Sequence, residues 1–196
     1  MSKRSDTICD AIGDIQSARR LMPIWTDWGL ENSGLSVHST GTSLLTILGS
    51  HLGCVAVAEL PAPSRGEYAY AGNEVRSDCV WFDKETRNPL MIAEFERYSG
   101  SAADKMKLEG KMQNLLMAQH RWGDESRQLV LAYWTIGLVS VPDHSSLREI
   151  VANGFTGLER NRIFGSIARV RFFQFVLGFS GENKRLLLET IVERAA

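Results

Sequence analysis

Cysteine is scarce in this chain, and the three that occur, Cys9, Cys54 and Cys79, show no CxxC spacing. Such a set excludes a disulfide framework and argues against a zinc site, so we expect a reduced protein of the cytoplasm. Apolar runs are short, and none has the roughly 18 residues that a membrane-spanning helix requires. The initial segment MSKRSDTICDAIGDIQ lacks the apolar centre of a signal peptide, so no membrane partner is expected.

A large excess of charge is absent as well. The 196 residues carry a net charge of -1, and 44% of them are apolar and 23% charged. These values are typical of a globular protein and exclude binding to nucleic acid through overall charge alone. An anionic partner would therefore have to contact a local basic patch.

The pattern of apolar residues and turn residues predicts an α/β fold with a mixed sheet flanked by helices. The predicted elements are a helix over 5–21, a loop over 26–41, a buried helix over 44–60 capped by Thr42 or Ser43, hairpin strands over 67–83 and 89–98, a helix over 101–122, a central strand over 127–141, a short helix over 145–154, a strand over 168–179 and a closing helix over 182–196.

Three acidic residues stand out in the predicted hairpin. Glu94 and Glu96 alternate along one strand and therefore face the same side, and Asp78 lies near the middle of the preceding strand. Carboxylates brought together repel one another unless a cation or a proton intervenes. Hard oxygen ligands of this kind suit Mg²⁺, which can polarise a phosphodiester. The spacing is equally compatible with solvated acids that pair with Arg76 and Arg97.

The motifs SDCVWF and AEFER, with 15 residues between Asp78 and Glu94, resemble the PD-(D/E)xK nuclease superfamily. Glu96 stands where that family usually has lysine, as in a subgroup of type II restriction endonucleases with E-x-E. The similarity extends over about 59–137, through a small-residue turn, an amphipathic helix and the next strand. It implies a restriction-endonuclease-like fold and an Mg²⁺-dependent DNA endonuclease, with Mn²⁺ as a possible substitute, in a restriction or defence system.

The resemblance implies specific site residues. Asp78 and Glu94 correspond to the metal-ligating carboxylates, and the Phe95 carbonyl is a further candidate ligand. Glu96 would act as a base or as a ligand of a second cation. Glu59, expected at the end of the buried helix, is similar to the additional acid that many members carry there.

Basic residues are candidates for contact with nucleic acid. If Glu96 is only structural, one lysine of the helix over 101–122 could replace the missing family lysine, although a solvated helix face is expected for at least two of them. The strand charges near the carboxyl terminus have an equally plausible interpretation as outward-facing side chains. The candidates are Arg97, Lys105, Lys107, Lys111, Arg169 and Arg171.

The order of the predicted elements indicates one domain over 1–196, and the resemblance implies that it is nuclease-like. It would comprise an amino-terminal helix and loop (1–41), a catalytic core (42–137) and a carboxyl-terminal helix-strand-helix (138–196). The expected partner is DNA, and the expected assembly is a homodimer through the helix over 101–122, or a subunit of a larger complex. The alternative function is a catalytically impaired subunit that binds DNA or protein.

The scattered histidines fall in no ligand spacing, so none is expected to bind metal.

Overall fold

The structure is a computed structural model that describes residues 2–64, 68–69, 74–126, 128–138, 141–157, 161–181 and 184–195. Within these ranges the chain forms a mixed six-stranded sheet with helices on both faces. The predicted α/β class is therefore confirmed.

The elements alternate between helices and strands along much of the chain. The helices are α1 (Ser2–Gly13), α2 (Ile15–Leu21), α3 (Gly34–His51), α4 (Ala102–Arg121) and α5 (His144–Asn153), and a π-helical turn spans Ile24–Trp28. The strands are β1 (Val55–Pro61), β2 (Arg76–Phe82), β3 (Pro89–Arg97), β4 (Gln128–Ile136), β5 (Phe155–Thr156), β6 (Arg162–Ile163), β7 (Arg169–Ser180) and β8 (Arg185–Arg194).

The large sheet has the strand order β1-β2-β3-β4-β7-β8, and β5 pairs with β6 separately. β3, β4 and β7 are parallel, whereas β1, β2 and β8 are antiparallel to their neighbours. The predicted hairpin of β2 and β3 and the central position of β4 are both confirmed. Parallel strands place their carboxyl ends at one edge of the sheet, and the acidic half of β3 lies at this edge.

Two apolar layers cover the sheet. α4 and α5, which connect the parallel strands, pack on one face, and α1 to α3 with the π-helical turn pack on the other. Successive crossovers that advance in one direction fall on one face when both are right-handed. Alternation along β3 sends Ile92 to the α4 face and Phe95 to the α3 face.

The predicted loop over 26–41 is partly wrong, because α3 begins at Gly34 and is capped by Ser33. Its glycines allow close packing on the sheet and do not mark a loop. A Cβ at Gly41 would lie 2.3 Å from the Phe95 ring, and one at Gly49 would lie 2.6 Å from Nε1 of Trp81. Helix contacts with the sheet therefore outweigh the local preference of these residues for turns.

The predicted helix over 44–60 is also wrong in its second half. α3 ends at His51, and the following residues form the edge strand β1. The alternating segment from Val55 fits a strand that pairs with β2. Glu59 consequently lies in a strand and not at the end of a helix.

At the two termini of the chain the structure differs from the prediction as well. The first predicted helix is broken at Asp14, which caps α2 by accepting hydrogen bonds from Gln16 and Ser17. The predicted closing helix is the strand β8, paired with β7 over most of its length. Pairing with β7 buries Leu186 and Leu188, and this gain outweighs the helix propensity of the segment.

The expected dimer surface on α4 is largely internal. Met112, Leu115, Leu116 and Met117 are buried in the layer between α4 and the sheet, whereas Met106 is exposed. The homodimer stays a prediction, but these four residues are not available to it. Over the described ranges, no helix has the length and apolar character needed to cross a membrane.

Candidate metal and phosphodiester site

Asp78 occupies a gap between two strands. The β2–β3 ladder ends at the pair Cys79 and Ala93, and beyond it the Asp78 side chain accepts a hydrogen bond of 2.7 Å from the Phe95 amide. A side chain thus replaces the backbone partner that a continued ladder would supply. Asp78 is only 5% exposed, so its carboxylate is fixed at the place where the two strands separate.

Glu94 lies beside Asp78 on the α4 face and is fully buried. Both carboxylates contact the Lys111 ammonium, which donates to Oε2 of Glu94 at 2.6 Å and to Oδ2 of Asp78 at 3.1 Å. Asn114, one turn further along α4, donates to the other Glu94 oxygen and to the Arg76 carbonyl. We call Asp78, Glu94, Lys111 and Asn114 the acidic cluster.

The electrostatics of the acidic cluster follow from burial and proximity. Burial raises the pKa of Glu94 well above its usual range, and the Asp78 carboxylate adds to this effect, while Lys111 and Asn114 oppose it. Burial by itself lowers the pKa of Lys111, but attraction by Glu94 and Asp78 outweighs it and leaves that pKa raised. Lys111 therefore remains a cation at neutral pH.

Glu59 of β1 and His38 of α3 also lie near Asp78. Glu59 follows Ala58, whose partner on β2 is Cys79, so it stands opposite Asp78, with a left-handed φ of 51°. His38 of α3 places its Nε2 atom 3.7 Å from Oδ1 of Asp78 and 4.0 Å from Oε1 of Glu59. His38 thus lies near two possible metal ligands, which its position in the sequence did not indicate, and the expectation that no histidine binds metal stays a prediction.

The donor atoms at this gap fit a divalent cation. One ligand atom from each of His38, Glu59 and Asp78 lies within 4.8 Å of the other two. Ligands bound at about 2.1 Å are about 3 Å apart when adjacent and about 4.2 Å apart when opposite. The distances of 3.7 and 4.0 Å from Nε2 of His38 to the two carboxylates lie within this span. At full ionisation, the carboxylates of Asp78, Glu94 and Glu59 also exceed the single positive charge of Lys111 by two.

Glu96 and Phe95 are arranged differently from the expectation. Glu96 is half-buried near the carboxyl end of β3, and its carboxylate accepts a hydrogen bond of 2.8 Å from the Arg97 amide. Among the described contacts, none joins it to the acidic cluster. Phe95 contributes its amide to Asp78, and its ring packs on the α3 face. Its carbonyl as a metal ligand stays a prediction.

The candidate nucleic-acid residues do not form one patch. Lys111 is part of the acidic cluster, whereas Lys105 and Lys107 are exposed on the first turns of α4. Arg97 is exposed at the carboxyl end of β3, 5.5 Å above the Trp134 ring.

The two arginines of β7 lie elsewhere. Arg169 pairs in register with Gln128 at the start of β4, which is the end of the parallel strands opposite the acidic half of β3. Arg171 forms a 2.9 Å ion pair with Glu193 of β8. Contact of these two residues with a phosphate at the acidic cluster is not compatible with this placement.

His38 and Asn114 are the residues that sequence reasoning missed. Asn114 follows Lys111 by three positions and therefore shares its helix face, which is a usable signal. His38 was hidden because its segment resembled a loop. No family model, curated protein or solved structure matches the chain.

Proposed function

We propose that this chain is a metal-dependent endonuclease that hydrolyses DNA phosphodiester bonds with the restriction-endonuclease-like fold implied by its sequence motif. The observation that carries the proposal is the position of Lys111. Its ammonium lies between Asp78 and Glu94, 2.6 Å from the latter, although it comes from α4 and not from the motif itself. A lysine beside two acids is the set that the motif requires and that E-x-E alone does not supply.

Asp78 and Glu94, with Glu59 at the edge, would hold Mg²⁺ or Mn²⁺. Such a cation polarises the phosphoryl oxygen and lowers the pKa of a water molecule. Once the carboxylates are neutralised by a cation, the Lys111 ammonium can contact a non-bridging oxygen of the attacked phosphate, where negative charge develops. Asn114 orients Glu94 throughout, since it holds the second oxygen of that carboxylate.

Glu96 remains the candidate for receiving a proton from the attacking water. It lies two residues beyond Glu94 on the same face of β3 and is more accessible than Glu94. Arg97, Lys105 and Lys107, which are exposed near the same edge, would contact flanking phosphates. Lys111 already supplies an ammonium to the site, so Glu96→Lys is not needed for that purpose. This variant therefore tests whether the Glu96 carboxylate itself is needed.

A second function, an impaired nuclease-like subunit that binds DNA or protein, is favoured by one observation. Lys111 and Asn114 form hydrogen bonds with carboxylate oxygens of the acidic cluster, and these bonds need no metal ion. The pair of acids is therefore stable as a structural unit. In that case the site would bind nucleic acid without cutting it.

Cleavage assays separate the two functions. Supercoiled plasmid, linear duplex, single-stranded DNA and RNA are incubated with the chain and Mg²⁺ or Mn²⁺, with EDTA as the blank. We expect cleavage of DNA by the native chain, none by Glu94→Gln or Lys111→Met, and native rates from Lys84→Met, a control at an exposed lysine in the turn between β2 and β3. Binding of DNA without any cut under all conditions would overturn the endonuclease in favour of the binding subunit.

A further inference from the structure

His38 comes close to two carboxylates without forming a hydrogen bond to either. Its Nε2 atom is 3.7 Å from Asp78 and 4.0 Å from Glu59, beyond the 2.7–3.2 Å of N–H···O bonds. Two acids and an imidazole nitrogen therefore face one small gap. A shared cation would bridge distances of this size better than a proton.

The three donors are supplied by three separate elements, and Phe95 contacts two of them. Its ring packs against Gly41, one turn beyond His38 on α3, and lies 6.1 Å from the His38 ring. Its amide fixes Asp78 from the other side. Phe95 thus sets the distance between the imidazole and the carboxylate.

Asp78 can serve two neighbours at once. Its Oδ2 atom accepts from the Phe95 amide and from Lys111, while Oδ1 is 3.7 Å from His38 and makes only a long contact of 3.4 Å with Lys111. Oδ1 therefore retains capacity for a ligand on the α3 side. Glu59, with half of its side chain exposed, can turn toward the same point.

We propose that His38, Glu59 and Asp78 bind one divalent cation, and that the imidazole makes this site select Mn²⁺ or Co²⁺ over Mg²⁺ and Ca²⁺. Magnesium and calcium favour sites made wholly of oxygen, whereas imidazole suits the later first-row metals, whose affinities rise along the series from Mn²⁺. The inference rests on the proposed function only in assigning a catalytic use to the cation. Binding itself follows from the three donors.

The direct test uses the full chain, stripped with EDTA and loaded with Mn²⁺ alone. Pulsed electron paramagnetic resonance reports a nitrogen nucleus coupled to the Mn²⁺ electrons when an imidazole is a ligand. We expect this coupling in the native chain and its loss in His38→Gln. Bound Mn²⁺ without nitrogen coupling in the native chain would overturn the inference, and this readout does not depend on any variant folding.

Calorimetric titration tests the selectivity. We expect the native chain to bind Mn²⁺ and Co²⁺ at least tenfold more tightly than Mg²⁺. His38→Gln should lose about tenfold for Mn²⁺ and Co²⁺ but less than threefold for Mg²⁺. His51→Gln is the matched control, since His51 is exposed on the same helix, and it should bind like the native chain. Equal losses in both variants, or equal native affinity for Mn²⁺ and Mg²⁺, would contradict the inference.

The outcomes for metal binding and for cleavage are separable. Nitrogen coupling with no cleavage of any nucleic acid supports the cation site and removes the nuclease. Cleavage supported by Mg²⁺, with native metal affinities retained in His38→Gln, supports the nuclease and removes the cation site.

Discussion

Two polar networks lie on the α4 and α5 face of the sheet, and they differ in the charged side chains that they contain. The first is the acidic cluster. The second, which we call the Tyr133 network, comprises Tyr133, His144, Gln174 and Arg194. Tyr133 and Gln174 are fully buried and occupy adjacent register positions on β4 and β7.

The Tyr133 network contains no carboxylate, and its one charged member, Arg194, is only partly buried. The Tyr133 hydroxyl lies 2.9 Å from Nε2 of His144, and Arg194 donates to Gln174, which in turn donates to Thr135. Burial, reinforced by Arg194 and Arg148, lowers the pKa of His144 to about 4. The imidazole is therefore neutral at pH 7 and can accept a hydrogen bond from the hydroxyl.

The acidic cluster differs, because it holds two buried carboxylates beside one ammonium. Hydrogen bonds among polar side chains rigidify a fold, whereas neighbouring carboxylates repel one another and attract a cation. The comparison teaches that burial alone does not identify a functional site.

Removing Glu94 should have the largest effect on function. Glu94→Gln keeps the shape and the contact with Asn114 but removes a charge from the proposed cation site. If a bound cation contributes about 4 kcal/mol to the transition state, cleavage should fall by about a thousandfold. Single-turnover cleavage of plasmid measures it, and Gln174→Glu in the other network serves as a burial control. Native cleavage rates from Glu94→Gln would show that the acidic cluster is only structural.

Replacing Lys111 tests the charge surplus through stability. Lys111→Met leaves two buried acids without their cation and should cost about 3 kcal/mol, the lower end for a broken buried pair, since Lys111 is 24% exposed. Urea unfolding in EDTA provides the measurement. Lys107→Met should change stability by less than about 0.5 kcal/mol.

The double variant Lys111→Met with Glu94→Gln sharpens this result. It removes both members of the pair, so most of the lost stability should return. An additive loss in the double variant would show that the two side chains do not interact energetically.

Acid should weaken the Tyr133 network in a defined window. The folded-state pKa of His144 is about 4, below its ordinary value of 6.5, so the unfolded chain binds more protons between these values. Stability conferred by the neutral imidazole is therefore complete above about pH 6.5 and is lost as pH falls toward 4. We expect about 2 kcal/mol, because screening at the exposed Arg148 reduces the shift.

The measurement compares urea unfolding of the native chain and of His144→Phe from pH 7 to pH 4. The difference between the two curves isolates His144 from other titrating groups. Parallel curves would show that His144 has the same pKa in the folded and the unfolded chain, which would contradict the prediction. His51→Gln should follow the native curve.

The smallest effect is expected from Tyr133→Phe. This change removes one buried hydroxyl and should cost about 1 kcal/mol, the usual contribution of a hydrogen bond. Cleavage should remain unchanged, because the hydroxyl contacts His144 and not the acidic cluster. A loss of cleavage with native stability would join the two networks functionally.

The parts of the site that depend on local pattern were predictable. The hairpin and the shared face of Asp78 and Glu94 follow from the alternation of side chains along strands. Lys111 was one of three lysines, and choosing it requires knowing how α4 rotates on the sheet. That rotation is set by contacts between layers, which a single sequence does not encode locally.

The positions of His38 and Glu59 depend on segments in which tertiary contacts override the local conformational preference of the sequence. His38 lies in glycine-rich sequence that becomes helical because Gly41 fits against Phe95. Glu59 lies in a strand because pairing with β2 outweighs the continuation of a helix. The wrong prediction of a helix in place of β8 has the same cause, because the pairing of β8 with β7 is a long-range interaction that overrides the local preference.

The left-handed conformation of Glu59 has a consequence for solubility. β1 is an edge strand of the sheet, and a long flat edge is a template on which other chains can pair and aggregate. The φ of 51° at Glu59 breaks the regular line of backbone donors and acceptors, and Pro61 two residues later has no amide to offer. Glu59, which lies opposite Asp78, thus also disfavours pairing of β1 with a strand of another molecule.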